Sequence, residues 1–196
     1  MRKILIYLII FFIFLSSKTF ASSKEEIIKN FIKTNNLSFD FKQTIQKTHE
    51  EFGDIKTKKE TGNCIIEYPK LIYCLYDGKK RKVMVSNGKS LVIKNNHSNN
   101  SYIYSLKSTP LNYLLDKNYL LNQLKKIEPK SIKNNFINFK LVNEFTEMNI
   151  YFNKNNLNLA GWKTKDIYQN EVFFEIKNIK KNQVLDKKKF ILPELN

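Results

Sequence analysis

The sequence predicts a mainly β (α+β) chain built on one antiparallel, barrel-like sheet, and three features carry that expectation. Period-two alternation recurs from Leu37 onward in about ten short segments separated by turn signals. Helical periodicity is confined to the start of the chain and to one apolar insertion in its middle. The third feature is the order within Gly62 to Leu115: strand, turn, strand, turn, strand, then an abruptly apolar helix. Its punctuation is Tyr68-Pro69-Lys70, Ser86-Asn87-Gly88-Lys89 and Thr109-Pro110-Leu111. A β-meander that ends in a greasy helix predicts a curved sheet with a hydrophobic cover, which is the shape of a container for apolar chains.

Met1 to Ala21 has the parts of a secretory signal. Arg2 and Lys3 open it, Ile4 to Leu15 is uncharged and apolar, and Thr19-Phe20-Ala21 offers a cleavage site. The apolar run is about 12 residues where a spanning helix needs about 20, so cleavage is expected over an uncleaved anchor. The expected units are therefore residues 1–21 as signal and 22–196 as one exported domain. The first cysteine is Cys64, far from the cleavage site, so the chain itself is not expected to carry lipid.

Ser23-Lys24-Glu25-Glu26 has capping-box spacing, and Ile27, Ile28, Phe31 and Ile32 follow at helical period. A helix from Ser23 to about Thr34 is expected, ended by Asn35-Asn36. Leu37, Phe39, Phe41 and Gln43 then share one face of a strand. Thr48 to Gly53 reads as a turn. Ile55 to Tyr68 is a long strand, with a bulge expected near Gly62. Leu71 to Asp77, Arg81 to Ser86, Leu91 to Ile93 and Tyr102 to Leu106 continue the meander. Asn87-Gly88 gives it a tight hairpin, and His97 to Asn100 a loose turn.

Thr109 is expected to cap a helix with Pro110 at its first position, where a missing N–H costs nothing. Leu111, Leu114 and Leu115 make that helix apolar, and a second helix, Tyr119 to Ile127, stops at Pro129. The remaining strands are Phe136 to Val142, Met148 to Phe152, Leu157 to Ile167 and Glu171 to Ile179. A short piece near Phe190 closes the chain, and Asn155-Asn156 and Gln169-Asn170 are the expected turns.

Charge excludes less than it first promises. The chain carries 34 basic and 18 acidic residues, and without the signal 31 against 18, or +13. The lysines are scattered among Asn and Ile, and Arg occurs only at Arg2 and Arg81, so no phosphate-reading cluster forms. A solvated lysine-rich surface is expected, and no nucleic-acid partner. His49 and His97 fall in polar turns. Asp40, Glu67 and Asp77 lie singly on strands, and no nucleophile, phosphate-loop or metal-ligand spacing is present. Neither catalysis nor a cofactor is expected. Cys64 and Cys74 lie on neighbouring strands. A two-residue turn between them puts the thiols on opposite faces, whereas a three-residue turn at Tyr68-Pro69-Lys70 sets them opposite each other. A disulfide and two buried thiols both remain open at this point.

In order and spacing, these landmarks resemble the outer-membrane lipoprotein carrier family, LolA. Leu37-Ser38-Phe39-Asp40-Phe41-Lys42-Gln43 resembles its aromatic first strand, and Gly62 to Pro69 its glycine-led strand. Ser86-Asn87-Gly88-Lys89-Ser90-Leu91 is similar to its hairpin and Thr109-Pro110-Leu111 to its central helix. Gly161-Trp162 with Asp166, and Phe190 with Pro193, match its closing strands. The resemblance implies a single unclosed antiparallel barrel of about eleven strands, covered by an N-terminal helix and central helices that form a lid. It also implies a monomeric periplasmic carrier. Such a carrier takes triacylated lipoproteins from an inner-membrane ATP-driven release complex and hands them to the outer-membrane acceptor lipoprotein LolB. LolB has a similar fold but is lipidated, and the missing lipobox cysteine here favours the carrier.

One departure is visible. The family commonly has an arginine before the strand-ending proline, holding the lid, and this chain has Tyr68, whose phenol has one donor and no charge. The candidate acyl-chain lining comprises Ile27 and Phe31 from the first helix, Phe41, Ile66 and Tyr68 from the strands, and Leu111, Leu114 and Leu115 from the lid. Ordinary core packing is the competing role for each. Two other functions stay open: a lipid-binding sensor or regulator of the same fold, and an exported β-domain filled by its own side chains.

Overall fold

The computed structural model describes residues 23–48, 55–78, 82–95, 97–98, 100–132, 135–142, 147–166 and 168–194. The expected signal, His49, Arg81 and the turn at Thr48 to Gly53 beyond its first residue lie outside them. Residues 23–32 form helix α1. Eleven antiparallel strands follow: β1 (Asn36–Thr48), β2 (Ile55–Glu67), β3 (Leu71–Tyr76), β4 (Lys82–Asn87), β5 (Ser90–Asn95) and β6 (Ser101–Ser105), then β7 (Lys130–Ile132), β8 (Phe136–Val142), β9 (Glu147–Asn153), β10 (Leu159–Lys165) and β11 (Glu171–Lys181). Between β6 and β7 lie helices α2 (Leu111–Leu115) and α3 (Lys117–Lys126). The sheet order is β6-β5-β4-β3-β2-β1-β11-β10-β9-β8-β7, so β6 and β7 are unpaired edges and the barrel is unclosed.

Alternation decides which side chains face inward. Leu37, Phe39 and Phe41 of β1 are buried, as are Ile72, Cys74 and Tyr76 of β3, and Ile137, Phe139 and Leu141 of β8. α1 lays Ile27 and Phe31 onto this concave face and leaves Ile32 exposed, so its buried seam is narrower than the four-residue face expected from sequence. Leu114, Leu115, Leu120 and Leu124 bring α2 and α3 into the same core. On the convex side, a 3-10 turn at Lys187–Phe190 lies against β3 and β4 with Phe190 buried. The expected terminal strand near Phe190 is therefore a helical turn, set by three consecutive lysines and an Asp186 cap that accepts from the Lys188 N–H.

The structure corrects three further local expectations. β1 and β2 pair in unbroken register through Phe41↔Gly62, so there is no bulge at Gly62 in that ladder. A Cβ there would stand 2.1 Å from the Leu75 carbonyl oxygen and 2.8 Å from the Phe41 ring, so glycine makes room for the ring. The hairpin turn is displaced by one residue: Gly88 and Lys89 lie between the strands, Gly88 at φ 91°, while the Asn87 side chain accepts from the Lys89 and Ser90 N–H groups. Finally, Thr109 does not cap α2 with its side chain. Its hydroxyl donates to the Leu106 carbonyl, and Pro110 occupies the cap.

Glu67 pairs with Leu71, which leaves the three-residue turn Tyr68-Pro69-Lys70 and sets Cys64 opposite Cys74. The two form a disulfide, buried on the concave face. Closing a loop with a sequence separation of 10 restricts the unfolded chain by about 2–3 kcal/mol. Replacing both cysteines with alanine is expected to lower unfolding stability by that amount in urea. An unchanged midpoint would show that the hairpin already supplies the closure.

Candidate functional site

The barrel has two ends, distinguishable from the strand registers. One end holds Leu37, Ile66, the β2–β3 turn and the β4–β5 hairpin; the other holds Gln43, Lys82, Asn95 and the β10–β11 turn. The first end is closely packed, apart from a cleft of about 20 Å³ beneath α1 that Ile27, Phe31 and Leu37 border. Ile66, Leu114 and Leu115 have no exposed surface, Ile27 and Phe31 are buried on them, and Phe31 meets the Tyr68 ring edge-on at 5.3 Å. Tyr68 is thus half of an aromatic contact beneath α1. Burial raises its pKa, and its hydroxyl has no hydrogen-bond partner among the described residues.

The corner between α2 and α3 is fastened at this packed end. The Lys70 N–H donates to the Leu115 carbonyl at 3.0 Å, and Lys70 Nζ lies 3.2 Å from Asp116 Oδ2. Asp116 caps α3 by accepting from the Tyr119 N–H. Burial pushes the Asp116 carboxyl up, but the Tyr119 N–H and Lys70 outweigh it and its pKa is lowered. Lys117 Nζ donates to the carbonyls of Ile32 and Thr34 at 2.8 and 2.7 Å, where the end of α1 presents its negative pole. A second cation, Lys24, joins the start of α1 to Glu128 beyond α3. The chain thereby holds its helical cover with lysines at the corner, where sequence offered only the uncharged Tyr68.

At the other end lies a pocket of about 280 Å³, open to solvent on one side. Its floor is formed by Trp162, Phe174 and Tyr76, members of an aromatic ladder that runs on beneath it through Phe41. Trp162 stacks on Phe174 at 4.2 Å, Phe174 stacks on Phe41 at 4.6 Å, and Phe41 meets Tyr76 edge-on at 4.9 Å. Gly161, at φ 150°, permits the β10–β11 approach, because a Cβ there would meet the Phe174 carbonyl oxygen at 2.1 Å. Met84, Leu91 and Ile93 form one wall, Met148 and Val172 the other, and Pro110 and Leu111 from the start of α2 close the top.

The charged members of the lining, Lys82, Lys165 and Asp166, lie at the mouth. The Tyr76 hydroxyl donates to Gln43 Oε1 at 2.8 Å. Lys82 Nζ sits 3.7 Å from the centre of the Tyr76 ring and 2.7 Å from Glu60, which Lys58 also approaches at 3.0 Å. Burial raises the Glu60 carboxyl, but Lys82 and Lys58 outweigh it and its pKa is lowered. Burial pulls the Lys82 ammonium down, and Glu60 offsets only part of that. Across the opening stand Lys165 and Tyr168, the exposed members of the lining. The turn that carries them is built on Asp166, which accepts from the N–H groups of Tyr168 and Asn170.

Of the lining residues expected from sequence, Leu111 borders this pocket. Phe41 lies in the ladder beneath its floor, whereas Ile27, Phe31, Ile66, Tyr68, Leu114 and Leu115 sit in or against the packed end. Trp162, Phe174, Tyr76, Met84 and Leu91 line the pocket and were not among the lining residues expected from sequence.

The fold and pocket define an unclosed β-barrel with a helical cover over an apolar interior. The model of the family described as outer membrane lipoprotein carrier protein LolA matches residues 32–192, and the chain belongs to that family. No curated protein matches the sequence. Among solved structures it is similar to a LolA superfamily protein from Nitrosomonas europaea, with 9% identity, coverage of 88% of this chain and 97% of that one, and a TM-score of 0.47. It is also similar to a DUF1329 family protein from Desulfovibrio piger, with 8% identity, coverage of 87% and 96%, and a TM-score of 0.45.

Proposed function

We propose that this chain is a periplasmic carrier of lipoproteins. It is exported by a cleaved signal at residues 1–21, receives triacylated lipoproteins from an inner-membrane ATP-driven release complex, and delivers them to an outer-membrane acceptor such as LolB. The observation that carries this reading is an apolar pocket roofed by a helix that the sheet does not need for its own pairing. Acyl chains demand area without stereochemistry, and each methylene withdrawn from water contributes about 0.8 kcal/mol. Three fully buried chains would bind too tightly to release. A cover that must give up its own leucine contacts to open offsets part of that gain, which makes delivery possible. The basic surface favours acidic partners or anionic headgroups, an attraction that rising salt weakens.

The test is a delipidated, refolded sample mixed with a triacylated lipopeptide in detergent-free buffer. Trp162 is the only tryptophan of the chain and part of the pocket lining. Binding is expected to keep the lipopeptide soluble at one equivalent and to change Trp162 emission. A sample that leaves the lipopeptide aggregated at every ratio would overturn the carrier role.

A further inference from the structure

The size of the pocket and the charge at its mouth say more than that acyl chains enter. A methylene occupies about the room of one water molecule, about 30 Å³. A cavity of about 280 Å³ therefore has room for roughly nine methylenes, most of one C12 tail. Leu114, Leu115 and Phe139, beyond the pocket, have no exposed surface, and the cleft beneath α1, between Phe31 and Phe152, is far smaller at about 20 Å³.

The mouth is also electrostatically uneven. Lys58 and Lys82 share one carboxylate, Glu60, which leaves one positive charge in excess on the β2–β4 side. The facing wall carries both Lys165 and Asp166, whose carboxylate is also held by the N–H groups of its own turn, so the net excess at the mouth is the one charge of the β2–β4 side. Tyr104 and Tyr168 add phenols to the same rim.

We infer that, with the lid closed, this pocket is a one-tail site for an amphiphile with an anionic head. The single chain lies against Trp162, Phe174 and Tyr76, and the head emerges between Lys82 and Lys165. This rests on the carrier reading for the identity of the site but differs in its ligand: a single-chain carboxylate enters without lid opening, whereas a triacylated cargo requires the lid to move.

Laurate, brominated laurate, dodecanol and a triacylated lipopeptide distinguish the two. Native mass spectrometry is expected to show one laurate per chain, and brominated laurate is expected to quench Trp162. Laurate is expected to bind roughly two- to fivefold more tightly than dodecanol, the range of a partly exposed ion pair. The double variant Lys82→Gln/Lys165→Gln should lose that preference while holding dodecanol as before. Should the double variant also lose dodecanol, Lys165→Gln alone, at an exposed position, decides the matter. Two or more laurates per chain, binding without quenching, or equal affinity for laurate and dodecanol would overturn the inference. Lipopeptide binding without laurate binding defeats this inference and leaves the carrier role standing. Laurate binding without lipopeptide binding does the reverse.

Discussion

Phe174→Ala is expected to destabilise the fold by about 3–5 kcal/mol, the range for emptying a buried phenylalanine site. That is a large share of the 5–15 kcal/mol that holds a typical domain together. Phe174 stands at the centre of the ladder, stacked on Trp162 and on Phe41 and edge-on to Phe39 at 6.4 Å. Each aromatic pair adds about 0.5–1.5 kcal/mol beyond the area it buries. The strands cannot collapse into the vacancy, because β1, β11 and β10 are fixed side by side by their ladders. Urea unfolding followed by circular dichroism measures the loss, and Trp162 emission should shift at the same time because its stacking partner is gone. Phe174→Leu retains most of the volume and should cost less than half as much. An alanine variant within 1 kcal/mol of wild type would mean that the floor relaxes freely.

Sequence conveyed the ladder better than the site, and for a physical reason. Alternation and turn chemistry are local, so the meander, the lid position and the antiparallel class could be read from residues alone. The strand it missed, β7, has three residues directly after Pro129, too short for any period to register. The hairpin slipped by one because Asn87 and Gly88 both tolerate positive φ, and only the pairing of Ser86 with Leu91 places the turn at Gly88. Core and pocket could not be separated in this way, since both are lined by the same apolar, period-two face. What separates them is how far along each strand the covering helices reach, which is a tertiary quantity.

One local signal did mark the boundary. The inward face of β1 runs Leu37, Phe39, Phe41 and then Gln43, and β4 places Lys82 before Met84 on its own inward face. On β10, Thr164 follows Trp162 in the same way. Polar residues thus enter three inward faces toward one end of the barrel, with Ile45 following Gln43 on β1, and that end is the mouth. The expectation that Leu114 and Leu115 line a cavity had no such marker. They occupy the packed end, and under the proposed carrier role they would meet cargo only with α2 lifted.

Leu114→Glu addresses that question directly. The side chain it replaces has no exposed surface and lies among core apolar residues, so an ionised carboxylate there would be buried and unpaired, at a cost of several kcal/mol. Two escapes exist: the carboxyl takes up a proton, or α2 leaves. Leaving breaks the Lys70 N–H bond to Leu115 and the Lys70–Asp116 pair but no rung of the eleven-stranded ladder. The expected result at neutral pH is a sheet that keeps its β circular dichroism, unfolds at lower urea and binds a hydrophobic dye because its interior is uncovered. In the closed form the new glutamate has its pKa raised above the unfolded value of about 4.3. The closed form is therefore fully stabilised below that value and weakens as pH rises toward the raised pKa. Acidification should lower dye binding by Leu114→Glu, and Leu114→Gln, which cannot ionise, should show no such pH dependence. Loss of the β signal together with the lid would mean that α2 is inseparable from the core, and a carrier built on its movement would need another part to open.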